Sequence, residues 1–256
     1  MKTSTRYHLV KIIKKNGQTR PAELAKSLQI SLQAVHRHLK ALVSDGIIES
    51  KGRPPSTRYM MAGTADFSRA LKWFQSSGTP NLTDEVCETR DIFSARLSRL
   101  TLLENQGLSI EDLPLIISTI GEIGNNSFDH NLGQWQDVPG CWFETQVTRQ
   151  RLWILIADRG QGIFRSLSRV ASILNEQDAV EKAFKEHISG RAPEKRGNGL
   201  KYVTNVIAEK SAAGLACCSG SGQIRFGEFG EACSNVFKSI SKSNCGTITV
   251  IAWELR

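Results

Sequence analysis

Apolar residues recur at helical intervals through the first forty positions. In segment 5–16 (TRYHLVKIIKKN), Leu9, Ile12 and Ile13 share one face, and the Asn16-Gly17 pair closes the helix with a turn. A second short helix follows, with Thr19 as its expected cap, Pro21 in its first turn and Leu24, Ala25 and Leu28 as its buried stripe. Ser31 caps a third helix that buries Val35, Leu39, Leu42 and Val43 and that Gly46 is expected to stop. The next stretch, IIESKGRPPSTRYMM, reads as two short strands joined by a basic Gly/Pro turn.

The pattern then changes. Segment 64–77 looks helical and 78–81 is a break, after which Leu82, Val86, Phe93, Leu97, Leu100 and Leu103 predict one amphipathic helix. Such a stripe packs on a neighbouring domain or forms a dimer face. Ser109 and Asp112 open a helix with Leu113, Ile116, Ile117, Ile120 and Ile123 inside, and CWFETQV and RLWILIAD form a hairpin. A helix follows Gly197-Asn198-Gly199, one strand is expected near 223–229 before a long loop, and GTITVIAWEL closes the chain as a strand.

Charge divides the chain in the same place. The 256 residues carry a net charge of +8, but residues 1–63 hold twelve Lys/Arg against three Asp/Glu, a net of +9, leaving −1 for the remainder. The first segment is therefore expected to meet a polyanion. No apolar stretch reaches signal-peptide or membrane-spanning length, which predicts a soluble cytoplasmic protein with no membrane partner. The six cysteines show no CxxC spacing, as expected of free thiols in a reducing compartment.

Three helices and a basic hairpin over residues 5–61, with the phrase VHRHLKALVSDGIIESKGRPPSTRY, resemble the winged helix-turn-helix of bacterial repressors. The resemblance implies that the third helix enters the major groove of double-stranded DNA and that the wing grips the backbone or minor groove. Gln33 and Arg37 are then candidates for base edges, and Lys40, Lys51, Arg53 and Arg58 for phosphates. A winged helix used only for protein contact is the alternative. His36 and His38, two apart on a helix, point to different faces and do not suggest a metal pair.

Four elements further on resemble the GHKL (Bergerat) ATP-binding superfamily, covering about 109–256. Glu122, Asn126 and His130 fall at i, i+4 and i+8 and resemble the N-box. Asp158, Gly160 and Gly162 resemble the DxGxG box, Gly197-Asn198-Gly199-Leu200 the GxGL box, and Gly246-Thr247 the GT pair beside the adenine-binding aspartate. The resemblance implies that Asn126 ligates Mg²⁺ and that Asp158 accepts from the adenine amino group. It further implies that Gly160, Gly162, Gly197 and Gly199 shape the loops, with Lys195, Arg196 and Thr247 in the cofactor site. Residues 163–196 would form an ATP lid, His187 would face solvent, and Glu122 would be the general base.

The expected fold is α+β: a winged helix at 1–63, a helical connector at 64–108 that is a candidate dimerisation element, and a GHKL α/β sandwich at 109–256 with helices covering a mixed sheet. The expected function is a DNA-binding transcriptional regulator that binds ATP and Mg²⁺, with turnover left open. A serine/threonine kinase of the anti-sigma type, docking a protein partner through its winged helix, is the alternative. A histidine kinase is disfavoured because the connector carries no histidine.

Overall fold

The structure, a computed structural model, describes residues 5–44, 47–78, 83–131, 133–148, 151–186, 198–210, 212–238, 240 and 246–255. The chain divides into two compact units, 1–65 and 66–256.

In the first unit, α1 (Thr5–Asn16) buries Leu9 and Ile13, α2 (Pro21–Leu28) buries Leu24, and α3 (Leu32–Ser44) buries Val35, Leu39 and Leu42. These side chains meet in one small core with Ile48. Ser31 caps α3, its Oγ accepting from Ala34 N at 3.2 Å. Thr19 does not cap α2. It lies in β1 (Gln18–Thr19), paired with Tyr59, so the cap falls to Arg20, whose backbone N donates to Glu23 Oε2 at 2.9 Å. Val43, expected in the buried stripe, is exposed because the face through 35, 39 and 42 leaves it one position past the contact. Gly46, the expected stop of α3, lies outside the described residues. β2 (Ile48–Lys51) and β3 (Arg58–Met61) pair antiparallel, and β1 joins the other side of β3.

The second unit is a six-stranded sheet with helices on both faces. Its strands are β4 (Val86–Cys87), β5 (Cys141–Thr148), β6 (Arg151–Asp158), β7 (Ala213–Ser219), β8 (Gly222–Gly227) and β9 (Thr247–Glu254), in the order β4-β5-β6-β9-β7-β8. Every pairing is antiparallel, so the expected mixed sheet is corrected. The reason is connectivity: β5–β6 and β7–β8 are hairpins, and β9 inserts antiparallel to both β6 and β7.

Side chains alternate across the sheet. Leu152, Ile154 and Ile156 of β6, with Ile251 and Trp253 of β9, join the core under α6 (Asp112–Asp129), α8 (Glu176–Lys185) and α9 (Gly199–Glu209). Asp112 at the start of α6 bonds Lys210 Nζ at 2.7 Å and Trp253 Nε1 at 3.3 Å, joining that start to the end of α9 and to β9. The opposite face, with Trp153 and Ala252, is also buried. α4 (Ser68–Gln75) covers part of it, with Trp73 5.7 Å from Trp142 between ring centroids. α10 (Gly230–Val236) covers another part, and Gly214 of β7 admits it: a Cβ there would stand 2.4 Å from the Phe229 carbonyl carbon.

The segment expected as one amphipathic helix over 82–107 is three elements: the edge strand β4, α5 (Arg90–Ser98) capped by Thr89, and a 3-10 helix at Arg99–Gln106. Phe93, Leu97 and Leu100 of its stripe are buried against α6 and the sheet. The expected long loop after 229 contains α10.

Candidate functional site

A cavity of about 280 Å³ opens between α6, the start of α9 and the ends of the central strands. Ile123, Ile156, Leu167 and Phe184 give it apolar walls, and Asp158 is a buried acceptor among them. Concave sites that join apolar walls to convergent polar groups are those that bind small molecules.

Asp158 ends β6 opposite Thr247, the first residue of β9, so the register alone makes these two neighbours. The carboxylate Oδ1 accepts from Asn131 Nδ2 at 2.9 Å and from Gly160 N at 3.0 Å, and Oδ2 accepts from the Ser127 hydroxyl at 3.1 Å. Burial raises its pKa to about 6, against the lowering effect of these bonds and of one from the Thr247 backbone. Asn131 also accepts from Gln161 N at 3.1 Å and so stitches the end of α6 to the loop after Asp158. A Cβ on Gly160 would stand 2.0 to 2.2 Å from three atoms of that carboxamide.

Arg159, next in the chain, is buried and turned away from the cavity, bonding Asp137, Ser76 Oγ and the Gly78 carbonyl and lying 5.2 Å over the Trp73 ring.

At the other end, Glu122 and Asn126 stand one turn apart on α6 and both line the cavity. Gly199 opens α9 against them, and a Cβ there would stand 2.2 Å from Glu122 Oε2. Asn198, Gly199 and Leu200 line the cavity, so the first turn of α9 faces it. His130 lines it too, with Nδ1 3.0 Å from Ser166 Oγ and burial lowering its pKa.

The structure thus brings Glu122, Asn126, Asp158, Gly162, Gly199 and Thr247 to one cavity, with Gly160 beneath Asn131. Gly162 has φ +76°, in the left-handed region that favours glycine, and begins α7 (Gly162–Leu167). Lys195, Arg196, Gly197 and His187 lie outside the described residues. The expected lid at 163–196 is corrected for 163–186: α7 and α8 occupy it, and Val180, Ala183 and Phe184 of α8 belong to the core. Ser127, Asn131, Thr249 and Arg90 also line the cavity and were not singled out by the sequence. Ser127 and Asn131 follow Asn126 by one and five positions, a spacing that carried a signal in hindsight only.

On the first unit, Gln33, Arg37 and Lys40 are exposed along α3, while Lys51, Arg53 and Arg58 are exposed on the hairpin. Lys51 and Arg58 are cross-strand partners at its tip. His36 is exposed and His38 half-buried on α3.

Residues 2–49 match the family described as winged helix-turn-helix DNA-binding. No curated protein matches the chain. Among solved structures, the oxidized form of MarR from E. coli is similar at 19% identity and a TM-score of 0.22, over 47% of this chain and 74% of that one. The adhesin competence repressor AdcR from Streptococcus pyogenes is similar at 15% identity and a TM-score of 0.21, over 46% and 76%. An IclR transcriptional regulator from Alicyclobacillus acidocaldarius is similar at 11% identity and a TM-score of 0.24, over 97% and 88%. Among the described residues, no helix is long and apolar enough to cross a membrane. Residues 2–49, which hold the three helices, match that family, and the three-stranded sheet with its basic hairpin completes the first unit as a winged helix-turn-helix DNA-binding domain.

Proposed function

We propose that the protein is a DNA-binding transcriptional regulator whose second unit binds ATP with Mg²⁺. The observation that carries the nucleotide reading is the buried Asp158 carboxylate beside the cavity's apolar walls, with Thr247 next to it and the first turn of α9 facing the same space. An aromatic base suits the walls, and its amino group suits the acceptor. The Ser127 hydroxyl can rotate away from Oδ2, leaving that oxygen for an incoming N–H donor.

The residues present fit the cofactor's other end as well. The backbone N–H groups and dipole at the start of α9 favour phosphate. Asn126 supplies a hard oxygen that would hold Mg²⁺, which would neutralise phosphate charge there. Glu122 is exposed at the cavity and is suited to orient or deprotonate a water or hydroxyl, while Asn126, half-buried one turn on, fixes the ligand's position. That same glutamate favours a second reading, a serine/threonine kinase, which transfer of label from γ-labelled ATP to a protein would support.

The test is a thermal melt of the whole chain with and without ATP-Mg. Ligand at a hundredfold over its Kd stabilises the state it binds by about 2.7 kcal/mol. An upward shift that disappears in Asp158→Asn is expected. No shift in the wild type removes the nucleotide reading and leaves DNA binding by the first unit.

A further inference from the structure

Among the described residues, the cavity has a lining poor in positive charge. Glu122, Asp129 and Asp158 line it, and among the described residues the single lysine or arginine lining it is Arg90, at the first position of α5. Arg90 lies outside all four elements that resemble the ATP-binding superfamily. Its guanidinium Nη2 donates to Asp129 Oδ1, and its side chain is 48% exposed, so it is held by one partner rather than packed in place. Asp129 stands three residues after Asn126, on the part of α6 that borders the cavity. The pair therefore holds a cation at the rim of the cavity.

A polyanion entering the cavity meets the carboxylates of Glu122, Asp129 and Asp158, and the Arg90 guanidinium is the positive group that the described lining offers it. Guanidinium groups bind phosphate oxygens through paired, charge-assisted hydrogen bonds. We propose that Arg90 is a phosphate-binding residue of this cavity, exchanging Asp129 for the ligand's phosphate oxygens, so that the site prefers nucleoside polyphosphates to the bare nucleoside. This rests on the nucleotide reading above.

Calorimetric titration of the full chain with ATP and with adenosine, both with Mg²⁺, tests it. In Arg90→Ala the affinity for ATP is expected to fall roughly tenfold or more, as for loss of a hydrogen bond to a charged group, while adenosine binding stays within about twofold. Arg90→Gln removes the charge but keeps a donor for Asp129. It serves should Arg90→Ala fail to fold, and is expected to show the same ATP-selective loss. Equal affinities in wild type and variant for both ligands overturn the proposal. So does an equal loss for both, which is the mark of a structural role. A wild type that binds neither ligand overturns instead the nucleotide reading on which the proposal stands.

Discussion

Asn131 Nδ2 lies 2.9 Å from Asp158 Oδ1, and the same carboxamide's oxygen accepts from Gln161 N. One side chain, from the second residue after α6, thereby fixes both the buried acceptor and the loop that follows it. Asn131→Leu removes both bonds and leaves the Asp158 carboxylate and the Gln161 N–H short of partners. The expected cost is about 1 to 3 kcal/mol in urea denaturation, the penalty of stranding a buried polar group, together with weakened ATP binding. Unchanged stability would show that water replaces the carboxamide freely.

The Asp158 carboxyl is raised to about 6 because burial disfavours its charge more than its hydrogen bonds favour it. An unfolded aspartate titrates near 3.9. Between about pH 4 and 6 the folded protein therefore holds a proton that the unfolded chain has released, so this group's contribution to stability falls as pH rises through that window. The melting midpoint of wild type minus that of Asp158→Asn is expected to decline from about pH 4 to pH 6 and then level. Adenine binding needs the charged acceptor and is expected to weaken below that pKa. A flat difference curve would contradict the buried environment described for Asp158.

Two glycines at the cavity should respond differently to a methyl group. At Gly160 the new Cβ meets three atoms of Asn131, a side chain tied at both ends. At Gly199 it meets the tip of Glu122, which is exposed and can swing aside. Gly160→Ala is expected to destabilise by on the order of 2 kcal/mol, and Gly199→Ala by less than about 1 kcal/mol because alanine also favours the helix. Gly199→Ala should nonetheless displace Glu122 and lower any ATP turnover. Equal losses of stability would mean that Glu122 is held more firmly than its exposure implies.

On DNA, Arg37 and Lys40 are expected to separate by the kind of loss they cause. Arg37→Ala should cost about 1 to 3 kcal/mol on a preferred sequence and little on others, whereas Lys40→Ala should weaken all sequences alike and reduce the salt slope by about one. Fluorescence anisotropy across a salt series reads both. A uniform loss for Arg37→Ala would reassign it to the phosphate backbone.

Much of this was legible in the sequence wherever the signal is local. Ser31, Pro21 and the 35–39–42 stripe fixed α2 and α3, and Asp158 and Thr247 stood out because short motifs and strand ends carried them. Asn131, Ser127 and Arg90 did not stand out, because nothing local distinguishes them and their place depends on how α6 and α5 seat against the sheet. The misread stretches share one physical cause. Val86 fits a helical stripe equally well, and only pairing with the edge of β5 makes Val86 and Cys87 a strand. Likewise α10 is seven residues long, too short for its periodicity to show, and it exists where Gly214 leaves room on the second face of the sheet.

The covering of both sheet faces bears on how the unit opens. β6 and β9 are paired on both edges and buried above and below, so their amides should be among the last to exchange with solvent, at a free energy near that of global unfolding. β4 is two residues long and β8 is paired on one edge only, and both should exchange through cheaper, partial openings. Asp158 and Thr247 lie at the adjoining ends of two of the strands so protected. The acceptor is thus carried by the slowest-breathing part of the unit, and its geometry should outlast every excursion short of complete unfolding.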